Sequence, residues 1–114
     1  MERQRIGAAA ESAAVEFLQS QGLEVLLRNY RLRLGELDIV ARDRNTLVIV
    51  EVRKRSSDRY GGAAASVDIR KQIKLRRAAS LLLQRRRDLA EYRVRFDVIA
   101  VTPRGIDWIQ HAFT

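Results

Sequence analysis

The sequence contains no cysteine and a single histidine, His111. Without cysteine there are no disulfides and no thiolate metal sites. A lone imidazole excludes multi-histidine metal centres and leaves little room for histidine-based catalysis. No apolar run approaches the roughly 20 residues that span a bilayer. No long apolar stretch follows Met1-Glu2-Arg3-Gln4-Arg5, so no secretory signal is read. No repeat, low-complexity segment or linker-like shift in composition interrupts the chain. The expectation is one soluble, cytoplasmic domain over residues 1–114, with no membrane partner.

A length of 114 residues with 46% apolar content is enough for a real core. The formal charge is +8, from 22 Lys plus Arg against 14 Asp plus Glu, and arginine predominates. That balance favours polyanions: DNA, RNA or an anionic membrane surface. Arginine also suits planar, bidentate phosphate contacts. The competing reading is an ordinary soluble protein that happens to be rich in arginine.

Residues 6–21 read as a helix, from its alanines and the stripe through Phe17 and Leu18, with Gly22 as the stop. Residues 23–34 read as a strand in which Arg31 and Arg33 alternate with Leu32 and Leu34, giving a basic and an apolar face. Gly35 permits a bend. Residues 55–68 read as a loop. A helix is expected from Val67 to about Arg87, with Asp68 as N-cap. Its buried stripe is read as Ile69, Ile73, Ala79, Leu82 and Leu83, widened by Leu75, Ala78 and Leu81. Its many Arg and Lys residues, Lys74 and Arg77 among them, form either a phosphate-contacting face or a solvated exterior. A strand over 92–101, a turn at Thr102-Pro103-Arg104-Gly105 and a short strand over 106–109 close the chain. Asp97 is read as pairing with Arg95, Trp108 and Phe113 as core, and His111 as a surface or packing residue.

The informative stretch is Gly35-Glu36-Leu37-Asp38-Ile39-Val40 followed by Val48-Ile49-Val50-Glu51-Val52-Arg53. Each apolar run carries acids where a buried strand has no use for them. Arg42-Asp43-Arg44-Asn45-Thr46 suits a turn between them. As an antiparallel hairpin, alternation puts Glu36, Asp38 and Val40 on one face, and Leu47, Ile49, Glu51 and Arg53 on one face of the next strand. If those faces coincide, Asp38, Glu51 and Arg53 converge. Carboxylates crowded there repel unless a cation lies between them, and Mg2+ or Mn2+ takes such oxygen ligands. The alternative for both acids is a salt bridge to a neighbouring arginine.

An acid ending one strand, then acid-x-basic on the next, resembles the PD-(D/E)xK nuclease core. Gly7, Glu11, Arg28-Asn29-Tyr30, Gly35-Glu36-Leu37-Asp38, Val50-Glu51-Val52-Arg53-x-Arg55, Tyr60-Gly61, Lys71, Arg95-Phe96-Asp97-Val98 and Ala112-Phe113 together resemble the YraN-type, endonuclease-like bacterial family over almost the whole chain. The resemblance implies a fold similar to archaeal Holliday-junction resolvases: a single α/β domain, restriction-endonuclease-like, with a mixed sheet flanked by helices. It implies metal ligands at Asp38, Glu51, the Val52 carbonyl and Glu11, with Lys71 and Gln72 approaching from the helix. Glu36 either supports the site or lies at its edge.

These readings give a metal-dependent endonuclease acting on DNA, favoured over RNA, with branched or structured DNA as the substrate class. Arg53 stands where the nuclease pattern has lysine. It cannot serve as a base, but it can stabilise a phosphoryl transition state. Arg31, Arg33, Arg55, Lys74 and Arg77 are the expected backbone contacts. Resolvase-type cutting implies a homodimer. A non-catalytic nucleic-acid-binding protein that kept the fold, and a basic protein-interaction module, are the rival readings.

Overall fold

The computed structural model describes residues 2–56 and 62–114. Helix α1 (Glu2–Ser20) is followed by β1 (Glu24–Leu32), β2 (Gly35–Asp43) and β3 (Thr46–Lys54). A single helical turn α2 (Gly62–Ala65) and the long helix α3 (Ile69–Arg85) lead through a 3-10 turn (Arg87–Leu89) to β4 (Arg93–Thr102) and β5 (Gly105–Phe113). The sheet order is β1-β2-β3-β4-β5, all antiparallel except β3–β4. The parallel pair follows from the intervening crossover, since a helix returns the chain to the starting end of the sheet.

The two faces of the sheet are covered by different helices. Ala14, Val15 and Leu18 of α1 pack on Ile39, Ala41, Val48, Val50 and Ile99. Leu75, Ala78, Ala79 and Leu82 of α3 pack on Val40, Leu47, Ile49, Val98 and Ala100. Covering on both faces explains why β3 and β4 read as nearly continuous apolar runs. The fold is therefore the expected α/β domain with a mixed sheet between helices.

Several boundaries differ from expectation. α1 begins at Glu2, and β1 ends at Leu32, leaving Arg33 and Leu34 in the turn with Leu34 42% exposed. The expected loop holds the α2 turn, while its residues Ser57, Asp58, Tyr60 and Gly61 lie outside the described residues. β5 runs on to Phe113, past a register shift opposite Phe96 and Val98. Asp68 does cap α3, accepting from Lys71 N at 2.9 Å.

The stripe of α3 is the clearest correction. Ile69 and Ile73 are 62% and 37% exposed, and Leu75, Ala78, Ala79 and Leu82 carry the burial. Those four follow the i, i+3, i+4, i+7 spacing of one face. At about 100° per residue, Ile69 and Ile73 fall more than ~100° away from Leu75.

Candidate active site

The β2–β3 ladder runs from Asp43↔Thr46 up to Ile39↔Val50 and then stops. The next two positions are Asp38 and Glu51, so both acids stand where the strands part. The Asp38 side chain takes over there: its Oδ2 accepts from Val52 N at 2.9 Å. The opening follows from a break in alternation along β2. Leu37 packs on the α3 side with Val40, while Ile39 packs on the α1 side. A regular strand would put Leu37 and Ile39 on one face. With the break, Asp38 reaches acids on both sides of the sheet.

On the α1 side, Glu11, Glu36 and Asp38 bring carboxylate oxygens within 4.8 Å of one another. Glu36 is therefore a full member of the cluster, and Arg31 Nε lies 3.4 Å from its Oε2. On the other side, Glu51 is 6% exposed, with Oε2 3.2 Å from Arg53 Nη2 and 3.5 Å from Lys71 Nζ. Glu11 Oε1, Glu51 Oε1 and Arg53 Nε are buried without a hydrogen-bond partner.

Two acids are buried among the described residues, Glu51 and Asp97, and they contrast sharply. Asp97 Oδ1 accepts from Arg95 Nε and His111 N, both at 2.9 Å, and Oδ2 accepts from Arg95 Nη2 at 3.1 Å and Trp108 Nε1 at 2.9 Å. Its charge is fully answered, and it ties β4 to β5 where their register shifts. Trp108 and Phe113 pack as expected, edge-on to Phe17 and stacked on Phe96, and His111 is exposed.

Glu51 lacks that satisfaction. Burial pushes its carboxyl up to about 7, the Asp38 charge adds to the rise, and Lys71 and Arg53 only partly oppose it. Glu11 is raised for the same reasons: burial first, then Asp38 and Glu36, against Arg28 and Asn29. A set of acids that resist ionising together is one that a cation would stabilise.

The remaining candidates sit as follows. Val52 meets the site through its N–H. Gln72 Nε2 donates to Val67 O at 3.0 Å, satisfying a carbonyl at the helix start. Arg31 is engaged by Glu36 across the β1–β2 ladder, and Arg33 is exposed in the turn. Arg55 is half-buried, with its N–H donating to Val101 O. Lys74 and Arg77 are exposed on the outer side of α3. Arg28 reaches α1 beside Glu11, its Nη2 donating to Ser12 Oγ at 3.2 Å; neither it nor Asn29 carried an assigned role in the sequence, where the available signals were the Arg28-Asn29-Tyr30 motif and an Asn within a strand, a non-glycine residue that tolerates the left-handed backbone found there, φ +50°.

A model described as "Uncharacterised protein family UPF0102" matches residues 10–101. A UPF0102 protein of Pseudomonas putida is 46% identical, covering 96% of this chain and 92% of the relative. One from Stutzerimonas stutzeri is 47% identical, covering 98% and 97%. One from Halorhodospira halophila is 48% identical, covering 97% and 88%.

Proposed function

The chain belongs to the UPF0102 family, and on that premise we propose that it is a metal-dependent endonuclease that hydrolyses phosphodiester bonds in DNA. The observation that carries the reading is the Glu11–Glu36–Asp38 carboxylate cluster, with Glu51 buried across the parted strands beside Arg53 and Lys71, and with buried oxygens of Glu11 and Glu51 left unpartnered. These residues fit a hard divalent ion such as Mg2+ or Mn2+: all donors are oxygens, and at least two are carboxylates. Asp38 and Glu51 would hold it with the Val52 carbonyl, and Glu11 and Glu36 would complete the set around Asp38.

When bound, such an ion supplies Lewis-acid polarisation of the phosphate and activation of water. The chain's own residues do the rest. The Val52 N–H fixes one Asp38 oxygen, so the carboxylate is held in place before substrate arrives. Arg53 stays protonated and is placed to stabilise charge building on a phosphoryl oxygen. Lys71 brings an amine to 3.5 Å from Glu51. An amine gives up and takes a proton where a guanidinium does not. Lys71 therefore stands in for the lysine that Arg53 replaces, approaching from a helix instead of the strand.

The DNA backbone would run over the basic residues around this opening, Arg33 and the outer side of α3 with Lys74 and Arg77, while Arg31 and Arg55 line its rim. Branched or structured DNA is the substrate class, cut by a homodimer in the cytoplasm. Membership of the PD-(D/E)xK superfamily, and likeness to archaeal Holliday-junction resolvases, belong to the same proposal.

The test is incubation of the pure protein with linear, single-stranded and four-way-junction DNA in Mg2+, Mn2+ and EDTA, beside Asp38→Ala and Glu51→Ala. Cutting that needs the metal and is lost in both variants is the expected result. A second reading has its own observation: Arg53 already engages Glu51 at 3.2 Å, as it would in a non-catalytic protein that binds nucleic acid on a nuclease fold. Salt-sensitive DNA binding without cutting under any condition would establish that reading instead.

A further inference from the structure

The β4–β5 hairpin closes at the same end of the sheet as Arg53. Because β3 and β4 are parallel, their carboxyl ends lie together, where α/β sheets commonly bind ligands. Cross-strand pairing sets one row in register: Arg53 of β3 opposite Ala100 of β4, and Ala100 opposite Asp107 of β5. In the next row Lys54, Val101 and Ile106 stand side by side. Neighbouring strands are about 4.8 Å apart, so Asp107 lies roughly 10 Å across the sheet from Arg53.

A cavity of about 390 Å³ opens at that end, walled by Ser56, Thr102, Pro103, Arg104, Ile106 and Asp107. Its size falls within the roughly 300–1,000 Å³ of small-molecule sites. Arg55 N donates to Val101 O at 3.0 Å, which brings Ser56 beside the turn. The turn is braced from within: Thr102 Oγ1 donates to Gly105 O at 3.1 Å and accepts from Arg104 N at 3.2 Å. With that hydroxyl occupied, a ligand meets a chemically mixed wall. It consists of the apolar Pro103 and Ile106, the Ser56 hydroxyl, the Asp107 carboxylate and the exposed Arg104.

That mixture suits an unpaired nucleobase. A carboxylate repels phosphate, but it accepts from base amino groups, as acidic side chains do from cytosine N4. Proline and isoleucine offer apolar surface to the base, and an arginine answers the phosphate that accompanies it. A paired base has its Watson–Crick edge occupied and its planes stacked, so it does not enter a cavity. We propose that the cavity between the end of β3 and the β4–β5 turn is a subsite for an unpaired, amino-bearing nucleobase of the DNA strand held at the acids. Its place beside a scissile phosphate rests on the nuclease reading above; base recognition by Asp107 and Arg104 does not. Such a subsite favours tails and open branch points over perfect duplex.

The experiment titrates the full chain in EDTA with three fluorescent DNAs: a duplex with a short deoxycytidine tail, the same duplex with a thymidine tail, and a blunt duplex of matched phosphate number. Wild type, Asp107→Ala and Arg104→Ala are compared, and the ratio of affinities is the readout. The wild type should bind the deoxycytidine tail roughly tenfold more tightly than the blunt duplex, and about fivefold more tightly than the thymidine tail. Asp107→Ala should close the gap between the two tails, and Arg104→Ala should weaken both together. Both positions are exposed, so melting should match the wild type. Equal affinity for tailed and blunt DNA, or a cytosine preference that survives Asp107→Ala, would overturn the inference. Cutting of the same DNAs in Mg2+ is read in parallel. Base preference without cutting leaves the subsite standing and sinks the nuclease reading. Cutting with no base preference sinks the subsite alone, and binding to none of the DNAs sinks both.

Discussion

Glu51 shows what one side chain can reveal. Its carboxyl is raised to about 7 from an ordinary 4.5, chiefly by burial. The metal-free folded protein therefore holds a proton that the unfolded chain has released between those two values. Stability falls as pH rises through that window, by on the order of 3 kcal/mol once Glu51 is ionised. Thermal melts from pH 4.5 to 8 without divalent ions should show the decline, and Glu51→Gln should flatten it. Lys71 and Arg53 divide the roles a single lysine would fill. Lys71→Ala should lower the cleavage rate by roughly 100-fold or more if it moves a proton. Arg53→Lys, which keeps the charge, should retain cleavage. Equal losses in the two would remove the distinction between them, as read from single-turnover rates.

At the scale of elements, the helix α3 carries both packing and charge. Leu82 is fully buried, and Leu82→Ala should cost about 2–5 kcal/mol in denaturant unfolding. Ile69→Ala, at an exposed position, should change stability by no more than about 0.5 kcal/mol. The sequence alone suggested Ile69 and Ile73 as core because isoleucines four apart normally mark a buried stripe. The true stripe was equally visible in Leu75, Ala78, Ala79 and Leu82, but two overlapping patterns on one helix cannot be ranked without the sheet beneath. Lys74 and Arg77 face outward. If they touch phosphates, replacing each by alanine should weaken DNA binding similarly for every sequence and reduce the salt slope of log K by about 1. An unchanged slope would place the DNA elsewhere.

Across the whole molecule, most of the architecture was legible in the residues. The acids in β2 and β3, the parallel β3–β4 pair and the Asp68 cap could all be read from pattern and connection length. The chemistry of the site was legible only in part. Strict alternation correctly placed Glu51 with Ile49 and Leu47, but it could not show that alternation along β2 breaks at Asp38, with Leu37 and Ile39 on opposite faces. That break joins Glu11 and Glu36 on one side to Glu51 on the other. Nor could it show the left-handed backbone at Asn29, since such a residue inside a strand leaves only a faint mark in sequence. The central claim is that these acids are arranged for a cation and strained without one. Cleavage depends on offering the right DNA, whereas melting does not. We would therefore first measure thermal unfolding at pH 8 with EDTA and with excess Mg2+, for the wild type and Asp38→Ala. A ligand that binds only the folded state raises its melting temperature. The account predicts a clear rise with Mg2+ in the wild type and none in Asp38→Ala. No rise in the wild type, or the same rise in both proteins, would contradict it.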